Sequence, residues 1–281
     1  MVRILDEQGH LTEHPSFPVD LSDDDLVKAL EMMVMVRRLD VEGTALQRHG
    51  ELGLWPPHMG QEATQAGAWL ALGDGDQVFP TYREHGVAWC RGVPPENIFG
   101  MYRGVNNGGW DSNANNFHLY TIVIGNQMLH AVGMAKAARL RGEEVVCLAM
   151  VGDGGTSEGD FHEALNFAAV FKLPVIFFVQ NNKFAISVPF AKQSAAPSLA
   201  HKAVGYGLAG ERVDGNDLGA LLAVLGFAGA VLTMAGVLAL IWIASLFLLK
   251  KDLGKAKAKP KFRDILSKSR AINILSAARL F

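Results

Sequence analysis

VVCLAMVGDGGTSEGDFHEALNFAAVFKLPVIFFVQNN, residues 145–182, decides the fold. It opens with a continuous apolar run, Val145 to Val151, and closes with a second, Val175 to Val179. Unbroken apolar runs of this length mark parallel strands covered on both faces. Between them, Phe161 to Phe171 places Ala164, Leu165, Ala168 and Phe171 at helical spacing. Strand, helix and strand in this order form a right-handed crossover unit, so the chain reads as an α/β protein with a parallel sheet flanked by helices. Each run ends in a polar motif: Gly152-Asp153-Gly154-Gly155 after the first, Asn181-Asn182 after the second. Ligands of such sheets bind beyond the carboxyl ends of the strands, where both motifs fall.

The residue types there suit a metal-bound diphosphate. Glycines at 152, 154 and 155 let the backbone approach without a Cβ in the way. A helix starting near Glu158 offers free N–H groups and a positive dipole end. Magnesium takes oxygen ligands in near-octahedral geometry and keeps substrate phosphates among them. Asp153 and Asn182 supply side-chain oxygens, and the carbonyl of Phe184 a third.

Working outward, residues 1–20 are polar with Pro15 and Pro18 and read as an arm. Ser22 before Asp23-Asp24-Asp25 reads as a helix start, followed by Leu26, Leu30, Met33 and Val36 at helical spacing. A second helix follows Gln61-Glu62 and stops at Gly73-Asp74-Gly75. Residues 104–116, rich in Asn and Gly, read as a loop, and 128–141 as an Ala-rich helix. The two cysteines, Cys90 and Cys147, form no disulfide framework and no metal-spaced pair; Cys147 reads as a core thiol.

The overall charge of −2 conceals an asymmetry. Residues from Leu218 onward carry ten Lys/Arg and two Asp, a net +8, which leaves −10 on the rest. An acidic body argues against nucleic-acid binding. The start, MVRILDEQGHLTEHPSF, has no apolar signal core, so a cytoplasmic location is expected for residues 1–217.

The spacing GDG-x(26)-NN is similar to the thiamine diphosphate fingerprint. With LQRHGELG (46–53), HMGQEA (58–63), PTYREHG (80–86) and NFHLYTIVIGNQ (116–127), the chain resembles the alpha subunit of the first component of 2-oxo-acid dehydrogenase complexes, of the pyruvate and branched-chain type. The resemblance runs from about residue 20 to Asp217 and implies a thiamine diphosphate-binding fold there. It implies that Asp153, Asn182 and the Phe184 carbonyl hold magnesium and that Gly152, Gly154 and Gly155 face the diphosphate. It implies further that Tyr82 and Arg83 reach the phosphates, that Ile122 and Ile124 touch the aminopyrimidine, and that His58 lies close to the reacting carbon. For His85, His118, His130 and His162 a structural role is expected. The cofactor would serve decarboxylation of a 2-oxo acid, with pyruvate as first expectation and a branched-chain acid as second. A beta subunit would complete the site in an α2β2 assembly, and a lipoyl-bearing second component would take the acyl group.

After Asp217 the resemblance is lost. Leu218 to Leu249 is an uncharged run of 32 residues. A bilayer core of about 30 Å needs roughly 20 apolar helical residues. The expected division is therefore an arm (1–20), a truncated dehydrogenase domain (21–217), a transmembrane-like helix (218–249) touching a membrane, and a basic tail (250–281). The last two read as a transporter-type fragment, which suggests a junction of two unrelated coding pieces near residue 217. The alternative is an inactive or membrane-anchored relative of the enzyme.

Overall fold

The computed structural model describes residues 1–225 apart from Glu7, Gly9, Asp20, Leu21, Asn107 and Gly108. In chain order the elements are α1 (Asp23–Arg48), α2 (Glu62–Leu70), β1 (Gln77–Phe79), α3 (His85–Cys90), α4 (Pro95–Arg103), α5 (Ser112–Asn115), α6 (Asn126–Arg141), β2 (Cys147–Gly152), α7 (Gly159–Phe171), β3 (Val175–Gln180), β4 (Phe184–Ala185), β5 (Val188–Pro189) and α8 (Ala200–Gly205). A 3-10 turn, Gly154–Ser157, joins β2 to α7.

Strands β1, β2 and β3 form a parallel sheet in that order. The alternation of side chains along a strand explains why β2 is apolar throughout. Cys147, Ala149 and Val151 face a core built with Met128, Ala131 and Ala135 of α6 and Phe161, Ala164, Leu165 and Ala168 of α7. Leu148 and Met150 face the opposite core, built with Ala68 of α2, Val87 and Ala88 of α3 and Ile98 of α4. The sheet thus lies between two helical layers, and β2 runs through both cores. Burial pushes the Cys147 thiol up to about 12, in keeping with an inert core group. Small residues set the helix–sheet distance, since Ala131, Ala135 and Ala138 of α6 are all fully buried.

The start of α1 is a capping box. Ser22 Oγ accepts from Asp25 N at 3.2 Å, and the Asp25 carboxylate accepts from Ser22 N at 3.1 Å. The loop expected over 104–116 contains one helical turn, α5, capped by Asp111 Oδ1, which accepts from Asn113 N at 2.9 Å.

The N-terminal residues are not a free arm. Val2, Ile4 and Phe17 are buried in a third cluster with Ala220 and Ala223, and Val2 bridges Val213 in parallel fashion. Asp217 fastens this cluster: its carboxylate accepts from the backbone of Ile4, Leu5 and Ala220.

The membrane-spanning helix expected over 218–249 gains no support. Residues 218–225 are helical, and Ala220, Leu221, Ala223 and Leu225 are buried against the body. Leu221 packs so closely on Gly67 of α2 that a Cβ on that glycine would lie 3.0 Å from it. The first residues of the run are apolar because they close a protein core, a pattern that periodicity alone does not separate from a lipid-facing helix. Among the described residues no helix is long and apolar enough to cross a membrane. Residues 226–249 and the basic tail lie outside the described residues.

Candidate cofactor site

The two motifs meet at the carboxyl edge of the sheet. Gly152 pairs in register with Gln180, and Asp153 N donates to the Gln180 carbonyl at 3.2 Å. Asp153 is 3% exposed, and the neutral amide of Gln193 donates to its Oδ2 at 3.1 Å. Among the described residues no Lys, Arg or His forms an ion pair with it. A buried carboxylate without a cationic partner carries a desolvation cost that a bound cation would offset.

Beyond β3 the chain turns on its own amides. Asn181 Oδ1 accepts from Lys183 N at 2.9 Å and Asn182 Oδ1 from Phe184 N at 3.0 Å. Both are Asx turns, and Lys183, the middle residue of the second, takes the left-handed conformation (φ 73). Each amide oxygen keeps a second lone pair. Asn182 and Phe184 are exposed at this edge. The donor set is therefore one carboxylate, one amide oxygen and one carbonyl, all hard oxygens. Among the described residues no group of three or more His, Cys, Asp or Glu gathers. A divalent ion here would draw its remaining ligands from phosphate and water, which is the habit of magnesium. The residues fit the group that the motif spacing implies.

The three glycines differ in purpose. A Cβ on Gly154 would lie 2.7 Å from Ala185 Cβ, and one on Gly155 would collide with Val151 and come within 3.0 Å of Ile124. Packing alone demands glycine at both. A Cβ on Gly152 would meet open space. Ile124 is half-buried beside Gly155, whereas Ile122 is exposed.

Tyr82 and Arg83 lie on the turn before α3 and are half-buried. The Tyr82 carbonyl accepts from Tyr102 Oη at 2.5 Å. The Arg83 carbonyl accepts from Gln65 Nε2 at 3.2 Å, its guanidinium donates to the Pro57 carbonyl, and it lies 5.6 Å from the centre of the Tyr82 ring.

His58 is placed inside the body. It is fully buried, with Nε2 3.1 Å from the Val36 carbonyl and Nδ1 3.3 Å from Asp40. Burial lowers its pKa more than the neighbouring Asp40 raises it, so the ring is held neutral. Asp40 also accepts from Trp55 Nε1 and from the backbone of His58 and Met59, which fixes the whole 55–59 segment. His85 packs 5.2 Å from His58, stacks on Trp55 and bonds Tyr120 Oη at 2.8 Å. His118 stacks on Phe79 and reaches Gln77, and His162 bonds Tyr206. Sequence reasoning missed Glu84, buried between Arg83 and His85 and bonded to Gln180. Nothing in a one-letter string marks a glutamate as buried.

The Dehydrogenase E1 component family matches residues 30–232. The chain belongs to that family. The E1 match continues past Asp217, as the buried helix at 218–225 does, so the boundary drawn at 217 falls inside the family's domain. The E1 chain is 49% identical over 229 residues to the 3-methyl-2-oxobutanoate dehydrogenase subunit alpha of Mycobacterium tuberculosis, covering 82% of this chain and 62% of that one. It is 42% identical over 217 residues to the pyruvate dehydrogenase E1 component subunit alpha of Staphylococcus aureus, covering 77% of this chain and 58% of that one. The chain thus spans about three-fifths of the length of these curated relatives.

Proposed function

We propose that this chain is the alpha subunit of a thiamine diphosphate-dependent 2-oxo-acid dehydrogenase, with magnesium as the ion that joins cofactor to protein. The observation that carries the proposal is the buried carboxylate of Asp153, without a cationic partner among the described residues, beside the strand end that bears Asn182. Asp153, Asn182 and the Phe184 carbonyl would hold the ion. The 3-10 turn from Gly154 and the backbone at Gly152 would receive the diphosphate, and Tyr82 and Arg83 would reach it. An arginine fork suits phosphate oxygens in charge and shape. Ile122 and Ile124 would flank the aminopyrimidine.

When bound, the cofactor supplies the electron sink for loss of carbon dioxide from a 2-oxo acid. The protein's part is to hold charge and geometry. Asp153 would neutralise the ion, Arg83 the phosphates, and His58 would lie close to the reacting carbon on a segment that Asp40 fixes through the backbone of His58 and Met59. Activity also requires a beta subunit in an α2β2 assembly and a lipoyl-bearing acceptor. Among substrates we place branched-chain 2-oxo acids ahead of pyruvate, reversing the order expected from the sequence. The relative at 49% identity bears the name of a 3-methyl-2-oxobutanoate enzyme, and the one at 42% that of a pyruvate enzyme.

The test is coexpression with a cognate beta subunit, followed by 2-oxo-acid-dependent dye reduction with and without thiamine diphosphate and magnesium. The expected result is cofactor-dependent reduction, faster with 3-methyl-2-oxobutanoate than with pyruvate. Normal cofactor binding with no turnover on either acid would instead identify an inactive relative that keeps the seat.

A further inference from the structure

Glu84 is 1% exposed, and both of its carboxylate oxygens are hydrogen-bonded. Thr81 donates to Oε2 through its backbone N at 2.6 Å and its hydroxyl at 2.7 Å. Gln180 Nε2 donates to Oε1 at 2.6 Å. Among the described residues no cationic side chain forms an ion pair with it. A buried carboxylate held by neutral donors is costly, and an apolar residue could fill the volume.

Its partners give the reason for its presence. Thr81 and Glu84 bracket Tyr82 and Arg83. Gln180 ends β3, directly before Asn181-Asn182, and its carbonyl accepts from Asp153 N. The other amide atom of Gln180, Oε1, is buried without a partner among the described residues, and the bond to Glu84 orients this side chain. Arg83 has further anchors at Gln65 and Pro57, but neither belongs to β3. The Glu84–Gln180 bond spans 96 residues of sequence and joins the arginine turn to the strand end that carries the metal-binding amide.

We propose that Glu84 is a positioning residue: through Gln180 it sets the spacing between the Arg83 guanidinium and the Asp153–Asn182 edge, and so the fit of a diphosphate between them. This rests on the cofactor reading given above. Arg83 contributes fully only when the clasp holds it in place, so loss of the clasp and loss of the arginine share one consequence.

The test is calorimetric titration of magnesium and thiamine diphosphate into the complex of a coexpressed beta subunit with full-length wild type, Glu84→Met, Arg83→Met or the double variant, with Asp153→Ala as control. Each of Glu84→Met and Arg83→Met is expected to weaken binding about tenfold, and the double variant to bind within about threefold of the weaker single. Effects that multiply, giving about a hundredfold loss, overturn the proposal, because independent sites add in free energy. Unchanged affinity in Glu84→Met overturns it as well. Thermal melts report whether each variant folds. If Glu84→Met does not, Gln180→Met removes the same link from the other side and carries the same expectation. Wild-type binding that Asp153→Ala abolishes upholds the cofactor reading whatever the clasp variants do. A wild type that does not bind overturns both.

Discussion

Gly152, Gly154 and Gly155 stand side by side in the sequence with the same expected role, yet their surroundings separate them. Gly154 and Gly155 have protein atoms where a Cβ would go, and Gly152 has open space. Gly155→Ala is therefore expected to destabilise the fold by about 1–3 kcal/mol, the usual cost of overpacking. Gly152→Ala should leave the denaturation midpoint unchanged while weakening cofactor binding, because open space at a diphosphate seat is needed only by the ligand. Paired denaturation and binding curves check this; unchanged binding in Gly152→Ala would remove that residue from the seat. The buried histidines give a second outcome. Burial holds His58 below 6.5 and His85 well below it, so near that pH the unfolded chain takes up protons that the native protein refuses. Stability then falls as pH drops through 6.5, by up to about 1.4 kcal/mol per pH unit for each histidine. Glu84, raised above 4.5 by burial, works in the opposite sense, losing stability as pH rises from 4.5, but it is one group against three, since burial lowers His118 as well. Urea denaturation between about pH 8 and about pH 5.5 should show this acid-side loss, and a flat or rising profile would contradict the placement of both rings. The acidic and amide positions of the site could be read from the sequence because they follow apolar runs. Glu84 and Asp40 could not, since their partners lie far away along the chain.

At the level of elements, the parts of the sequence with a strong period were legible. The runs at 145–151 and 175–179 are β2 and β3, and the pattern at 161–171 is α7, each within two residues of its observed ends. The Ser22 cap and the turn after α2 also stand where their residue types put them. The short hairpin of β4 and β5 was not legible, having two residues in each strand and no glycine at its turn. Its tip holds Ile186 at φ 55 with the side chain fully exposed. A β-branched residue in the left-handed region is strained, and no packing compensates here. Ile186→Asn is expected to raise the stability of the free protein by roughly 1 kcal/mol, because asparagine tolerates that region. Chemical denaturation would show it. A loss of stability would mean that the isoleucine makes contacts in the free protein after all.

For the whole molecule, composition proved an ambiguous guide. The uncharged run from Leu218 suggested a membrane, while its first eight residues close a core with Val2, Ile4 and Phe17, and the E1 family match continues through residue 232. Hydropathy reports that a segment avoids water and is silent on what shields it. The sheet with polar motifs at one edge was a sound guide, because it follows from local residue types. The account as a whole depends on a divalent ion tying a diphosphate to Asp153 and Asn182. The most direct measurement is calorimetric titration of thiamine diphosphate into the wild type and Asp153→Ala, each in complex with a coexpressed beta subunit, with magnesium and with the metal chelated. Saturable binding by the wild type only when magnesium is present, and none by Asp153→Ala, is the predicted result; equal affinity in the two proteins, or binding indifferent to the metal, would contradict it.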